Sequence, residues 1–198
     1  MQNFEIMNAT SDVPQWTRDC LNVFGYHDAD DAVRYMREMF RNAVEVFIYP
    51  VGTATKASNT FATAAKGGVR GNDLSIVIDT NVDDPGKFDV ITLLALEKVD
   101  TQTITTGADL VDTQWVTWKK GASFVKTAST PLTGGKNATP NGSDYQKALA
   151  AFEQLAFNIL ICPVTDEPTK KLFMAWTCLL YTSPSPRDRT RSRMPSSA

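Results

Sequence analysis

A few places in this 198-residue chain carry the residue types of a reactive or ligand-binding site. His27, the single histidine, stands beside Asp28. It reads either as a base held by a carboxylate or as a solvated loop histidine. "KGGVRGN" (66–72) and "TGGKN" (133–137) suggest phosphate cradles. A phosphate loop needs four residues between its first glycine and Gly-Lys-Ser/Thr, a strand before it and a helix after it. Lys136 is followed by Asn137, so the glycines at 67–71 read instead as donors of positive φ in a strand-to-strand turn. Asp83-Asp84 lacks the Asp-x-Asp-x-Asp-Gly pattern of a calcium loop. Cys20, Cys162 and Cys178 have no metal-ligand spacing, which fits a reduced interior. His27 has no Gly-x-Ser-x-Gly elbow to serve, so no nucleophilic triad assembles. Trp115 and Trp118 offer flat faces for a sugar or base, or simply bulk for a sheet edge. Asn-x-Ser/Thr triplets at Asn8, Asn137 and Asn141 come with no secretory signal. The residues therefore predict no catalytic, metal or cofactor site.

The elements that would position these residues change character along the chain. In 1–56, "FEIM" reads as a short strand, and Asp30 as the cap of a helix to about Asn42, with Val33, Met36, Phe40 and Ala43 on one face. "VEVFIYPV" follows as a buried strand ending near Pro50. From 57 to 126, short strands alternate with turns. "DLSIVID" sets Leu74, Ile76 and Ile78 on one face, "NVDDPGK" turns, and "FDVITLL" alternates again. "QWVTWKK" places Trp115 and Thr117 opposite Val116 and Trp118. This pattern predicts a small antiparallel sandwich. Residues 127–143 are rich in Gly, Pro, Ser, Thr and Asn, and read as a linker. Ser143 and Gln146 have capping-box spacing for a helix with Tyr145, Leu149, Phe152 and Ala156 inward. "FNILIC" reads as a central strand closed by Pro163. Asp166 and Pro168 suit the start of another helix, with Leu172, Phe173 and Trp176 inward. Helix, strand, helix is a piece of an open α/β layer.

Hydrophobic residues make up 42% and charged residues 21%, a globular composition. No run approaches the ~18 apolar residues of a membrane span. The net charge is −2, and it becomes more negative when Arg187, Arg189, Arg191 and Arg193 are set aside, so nucleic acid is a poor electrostatic match for the body. Those arginines belong to "CLLYTSPSPRDRTRSRMPSSA" (178–198), which has no apolar period. Written back into codons, Cys178–Asp188 and Ser192–Ala198 resemble the two ends of a transposase-type sequencing adapter, separated by an index-sized gap. Residues 178–198 are accordingly expected to be no domain at all.

"GVRGNDLSIVI", "NVDDPGKFDVITLL", "TPLTGG" and "DYQKALAAFEQLAFNILICPVTDEPTKKLF" together resemble the tail sheath proteins of contractile phages and phage-like particles of Gram-positive bacteria. The resemblance marks Gly68, Arg70, Gly71, Asn72, Asp73, Asp83, Asp84, Phe88, Pro131, Leu132, Gly134, Gly135, Pro163, Thr165 and Asp166 as structural family positions. It implies a mixed α+β fold with an α/β segment at 1–56 and an antiparallel β-sandwich at 57–126. The linker at 127–143 would lead into 144–177, the truncated start of an α/β domain of subtilisin-like shape without protease activity. On this resemblance the chain is an internal fragment of a subunit that polymerises around a tail tube. That subunit contracts on baseplate triggering and drives the tube through the host envelope. Expected partners are other sheath subunits, tube and baseplate, with no nucleic acid, membrane insertion or cofactor. The implied place is the virion tail, after synthesis in the host cytoplasm. The rival readings are a stand-alone β-sandwich binding module using Trp115 and Trp118, and a hydrolase whose catalytic half lies elsewhere.

Overall fold

The computed structural model describes residues 5–8, 15–43 and 45–182. The chain divides into two units, 1–139 and 140–198. The first opens with β1 (Glu5–Asn8), α1 (Gln15–Phe24), a 3-10 turn (Asp31–Val33), α2 (Arg34–Phe40) and β2 (Glu45–Ile48). β1 and β2 pair antiparallel, Glu5 opposite Ile48 and Asn8 opposite Glu45. α1 is absent from the sequence expectations, although Pro14 and Gly25 bracket it. Gly25 ends it at φ 75, its N–H reaching the Leu21 carbonyl at 2.8 Å. Asp30 does not cap α2: its carboxylate accepts from the His27 N–H at 2.9 Å, and the 3-10 turn intervenes. Val33, Met36 and Phe40 are buried as expected. With Cys20 they form a small core, flanked by Val23, Phe24, Tyr26, Met39, Val46 and Ile48. Burial, aided by Asp28 and Asp30, pushes the Cys20 thiol up to about 11, so it stays protonated and inert.

The sandwich supplies β3 (Ala62–Ala64), β4 (Leu74–Thr80), β5 (Phe88–Leu94), β6 (Glu97–Ile104), β7 (Val116–Trp118) and β8 (Thr127–Pro131). One sheet runs β6-β5-β4-β8, all antiparallel, and β3 pairs with β7 in a second. Their inner faces share one core, in which Ile76, Ile78, Val90, Val116, Leu110 and Leu132 are essentially inaccessible. Leu74, Ile76 and Ile78 face that core as the alternation predicts. Trp115 departs from the expected facing: it precedes β7 rather than belonging to it, and is buried on the same side as Val116 and Trp118. The β5–β6 turn places two non-glycine residues in the left-handed region, Ala95 at φ 48 and Leu96 at φ 74, with Leu96 exposed.

Residues 127–143 are not a linker throughout. Thr127–Pro131 form β8 on the edge of β4, Thr130 opposite Ile76, and further bridges join Thr133 to Ser58 and Lys136 to Thr55. Small polar residues in this stretch suit an exposed edge strand that pairs on one side only. In the second unit, α3 (Gly142–Phe152) is capped by Asn141 rather than Ser143. The Asn141 side chain accepts from the Ser143 and Asp144 N–H groups, and Asp144 reaches back. Tyr145, Ala148 and Leu149 are buried; Ala156 lies beyond the helix and is exposed. "FNILIC" forms no strand: 157–162 has no ladder partner among the described residues, and Ile159 and Ile161 are exposed. α4 (Glu167–Thr182) begins where Asp166 and Pro168 predict. Phe173 meets Tyr145 edge-on at 6.1 Å, and Trp176 stacks on Phe157 at 6.3 Å. The helix runs past Thr177 to Thr182, so 178–182 is structured here; the remainder of the expected adapter segment lies outside the described residues. Among the described residues no helix is long and apolar enough to cross a membrane.

Candidate functional site

Of the residues singled out by sequence, only those of the two glycine-rich blocks come together, beside the sandwich. After β3, the chain turns through Gly67 and Gly68 into a 3-10 turn (Val69–Asp73) that leads into β4. Opposite it runs the segment that follows β8. Asn72 joins the two: its Nδ2 donates to the Gly135 carbonyl at 3.0 Å, and its Oδ1 accepts from the Gly135 N–H at 2.8 Å. An amide side chain pairing with both backbone groups of one residue mimics a strand ladder and leaves neither group bare. Asn137 does a similar task, its Oδ1 accepting from the Val69 N–H at 3.0 Å.

The glycines are required by space more than by turn geometry. Of those at 67–71, only Gly68 has positive φ, at 123. A Cβ on Gly135 would lie 2.5 Å from the Gly68 carbonyl oxygen, and one on Gly67 would lie 2.5 Å from that of Ala54. On Gly71 it would press between Ala57 and Ala64 at 3.1 and 3.2 Å. Gly134 takes φ 84 with open space around it, so there the backbone angle alone favours glycine. Asn72, Asn137 and these glycines make up a clamp; Leu132, just before it in the chain, is buried in the sandwich core, and Pro131 stands opposite Ser75 at the end of β8.

Arg70 points the other way, toward α1. Its Nε donates to the Gly25 carbonyl at 2.6 Å, its Nη1 to Asp73 Oδ2 at 2.9 Å, and its guanidinium lies 4.6 Å from the centre of the Tyr26 ring. His27 does not pair with Asp28: its Nε2 lies 3.0 Å from Glu97 Oε2, with both side chains half-exposed.

Asp83 and Asp84 sit in the β4–β5 turn. Asn81 Oδ1 accepts from both of their N–H groups, at 3.0 and 2.9 Å. Asp84 accepts from the Gly86 N–H and pairs with Lys87 at 3.1 Å, which together hold its carboxyl below the usual range. Phe88 then opens β5 against the core. Asp89 is likewise held low, by the Thr103 hydroxyl at 2.6 Å and the Asn81 amide. Among the described residues no group of three His, Cys, Asp or Glu side chains could hold a metal.

Trp115 and Trp118 are closed to ligands. Both are buried, and Trp118 Nε1 donates to the Val111 carbonyl at 3.0 Å while its ring meets Phe124 edge-on at 6.5 Å. In the second unit, Asp166 accepts from the Thr169 N–H at 2.9 Å and its carboxyl is held low by Thr169. A cavity of about 380 Å³ beside it is lined by Pro140, Tyr145, Pro168 and Leu172 among others. Pro163 and Thr165 belong to the irregular stretch before α4. The amides of Asn72, Asn81 and Asn137 and the carboxylates of Asp84 and Asp89 are thus committed to the chain itself, an arrangement that fixes backbone.

Residues 51–137 match the family described as the phage tail sheath protein β-sandwich domain. Two curated proteins of Bacillus subtilis (strain 168) are similar. The phage-like element PBSX protein XkdK is 31% identical over 171 residues, 74% of this chain and 37% of its own length. The protein YqbK is 31% identical over 176 residues, 77% of this chain and 38% of its own. Among solved structures, a sheath tail protein of Desulfitobacterium hafniense superposes with a TM-score of 0.79 at 31% identity, over 91% of this chain and 43% of that one. A sheath tail protein of Listeria innocua does so with 0.73 at 26%, over 90% and 41%. The chain therefore spans less than half the length of each of these relatives.

Proposed function

We propose that this chain, which belongs to the phage tail sheath proteins, is part of a structural subunit that polymerises around a tail tube and shortens to drive the tube through a host envelope. In this reading it is not an enzyme and needs no cofactor. Its partners are further sheath subunits, the tube and the baseplate, and its place is the virion tail. The observation that carries the reading is the sandwich: residues 51–137 match the sheath domain, and the fold around them follows a sheath tail protein at a TM-score of 0.79. The clamp adds support. A subunit that moves as a rigid body between two packings needs a sandwich that does not deform, and Asn72, Asn137 and the close glycines supply that stiffness. The burial of both tryptophans removes the surface that a glycan-binding module would have used. The subtilisin-like shape of the region from 144 is part of the same proposal.

The test uses the complete locus. The protein expressed from it is expected to form tubes or rings of uniform diameter in negative-stain micrographs. A monodisperse monomer at every salt and protein concentration tried would overturn the proposal.

A further inference from the structure

Among the described residues of the first unit, the buried side chains fall into two separate clusters. Cys20, Val33, Met36 and Phe40 belong to one, the sandwich residues to the other, and from α1 it is Leu21 that packs against the sandwich core. Among the described residues, neither strand of the β1–β2 pair is laddered to a sandwich strand. Beyond Leu21, the contacts that fasten the described residues of the 5–48 lobe are polar. The C-terminal end of α1 exposes carbonyls that lack helical partners. The sandwich answers with two cations: Lys66 donates to the Val23 carbonyl and Arg70 to that of Gly25. Arg70 also covers the Tyr26 ring and is aimed by Asp73. The approach is close enough that a Cβ on Gly25 would lie 3.2 Å from Arg70 Cγ. Two outlying straps complete the joint, Gln114 Nε2 to Asn22 Oδ1 at 3.0 Å and His27 to Glu97. The covalent connection, 49–54, has no regular secondary structure and includes Gly52 at φ 80.

We propose that Arg70 is a latch, and that the lobe of residues 5–48 is a hinged body that undocks from the sandwich about 49–54 with its own core intact. The physical basis is the contrast between the two kinds of contact. A shared apolar core resists separation over its whole area, whereas a joint made of a few directional bonds opens once those bonds are replaced by water. Polar groups released at this joint meet solvent rather than a dry interior, so opening leaves no buried group unsatisfied. Arg70 has two partners across the joint, the Gly25 carbonyl and the Tyr26 ring, and Asp73 on its own side holds it in place, which makes it the element on which docking turns.

The experiment is limited proteolysis of the whole chain with a broad-specificity protease, cuts mapped by mass spectrometry, alongside mass-mapped thiol labelling of Cys20. In Arg70→Ala, cleavage within 49–54 is expected to rise about tenfold, the loss of a charge-assisted bond plus a ring contact. Cys20 should remain as protected as in the parent, because it travels inside the lobe core. Arg70→Lys keeps the charge but not the fork, and should fall between. Gln114→Ala, at the other end of the joint, should raise cleavage in the same place by a smaller factor. Cleavage and Cys20 labelling rising together in all three variants would mean that lobe and sandwich unfold as one body, and the latch is wrong. Unchanged cleavage at 49–54 in all three would equally overturn it.

Discussion

At the residue scale, the clamp and the core make opposite demands on a single methyl group. Gly135→Ala would set a Cβ 2.5 Å from the Gly68 carbonyl, backbone against backbone, with no flexible side chain to yield. We expect a loss of roughly 1–3 kcal/mol, read as a lower urea midpoint at unchanged slope. A parent-like midpoint would show that the two glycine blocks do not touch. Thr92 presents the reverse case. It is fully buried in the middle of β5, and its hydroxyl has no hydrogen-bond partner. Thr92→Val keeps the shape and removes the orphan donor, so the midpoint should hold or rise, by up to about 1 kcal/mol. A clear loss would mean that the hydroxyl is satisfied after all. Neither site was fully legible from sequence. The glycines at 67–71 drew attention as turn formers, yet most of them serve close approach, and the partner of Asn72 lies 63 residues away. Contacts at that separation leave no local period to read. Leu74, Ile76 and Ile78, by contrast, follow from alternation alone, because a strand sends every second side chain to one face.

At the scale of elements, legibility depended on which neighbour decides the structure. The β4–β5 hairpin was readable because its turn chemistry is local: Asn81, Asp84 and Gly86 bond within a few residues of one another. β8 was not readable, since its composition is that of a loop and its pairing with β4 is what makes it a strand. "FNILIC" failed in the other direction. It has strand composition and no ladder partner among the described residues, so propensity has nothing to pair with. The helix start at Asn141 shows how fine the margin is, because Asn141 and Ser143 both suit a cap and the backbone chose the earlier one. The hairpin also sets an acid response. Asp79, Asp84 and Asp89 are all held below the usual carboxylate value of 3.8, Asp79 chiefly by Lys126, Asp84 by the Gly86 N–H and Asp89 by Thr103. A carboxyl depressed in the folded state stabilises it fully above 3.8 and loses that contribution as pH falls through the folded value. Stability of the sandwich should therefore be level from neutral pH down to about 5 with respect to these groups, and decline below about 4. Asp89→Asn should flatten that decline. An equally steep acid limb in the variant would remove Asp89 from the account.

At the scale of the whole molecule, the two units differ in how much they bury. The first owns both apolar cores. The second buries little beyond Tyr145, Ala148, Leu149 and Thr169, and exposes Ile159, Ile161, Met174 and Leu179. Several large apolar side chains exposed on one small unit favour association. Residues 1–139 alone should accordingly melt within a few degrees of the whole chain and stay monomeric at concentrations where the whole chain aggregates. Sedimentation and a melting curve of the two proteins side by side check both statements. A large drop in melting temperature for 1–139 would show that the second unit stabilises the first. The stretch that reads as a linker from 127 carries β8, because the chain returns to the sheet through residues that look like tether.

The β5–β6 turn bears on the order in which the sandwich forms. Two left-handed residues without glycine cost roughly 1–2 kcal/mol each, so closing Leu94 onto Glu97 is uphill by itself. Nothing opposes closure at Asn81–Lys87, where side chains prebuild the bend. The hairpin of β4 and β5 should then nucleate, and β6 should zip on late, after the core has begun to reward it. Ala95→Asn combined with Leu96→Gly relieves the angles in the finished fold while leaving the nucleus alone. Its signature in a stopped-flow chevron is slower unfolding at an unchanged refolding rate, whereas faster refolding would place this turn among the first contacts made.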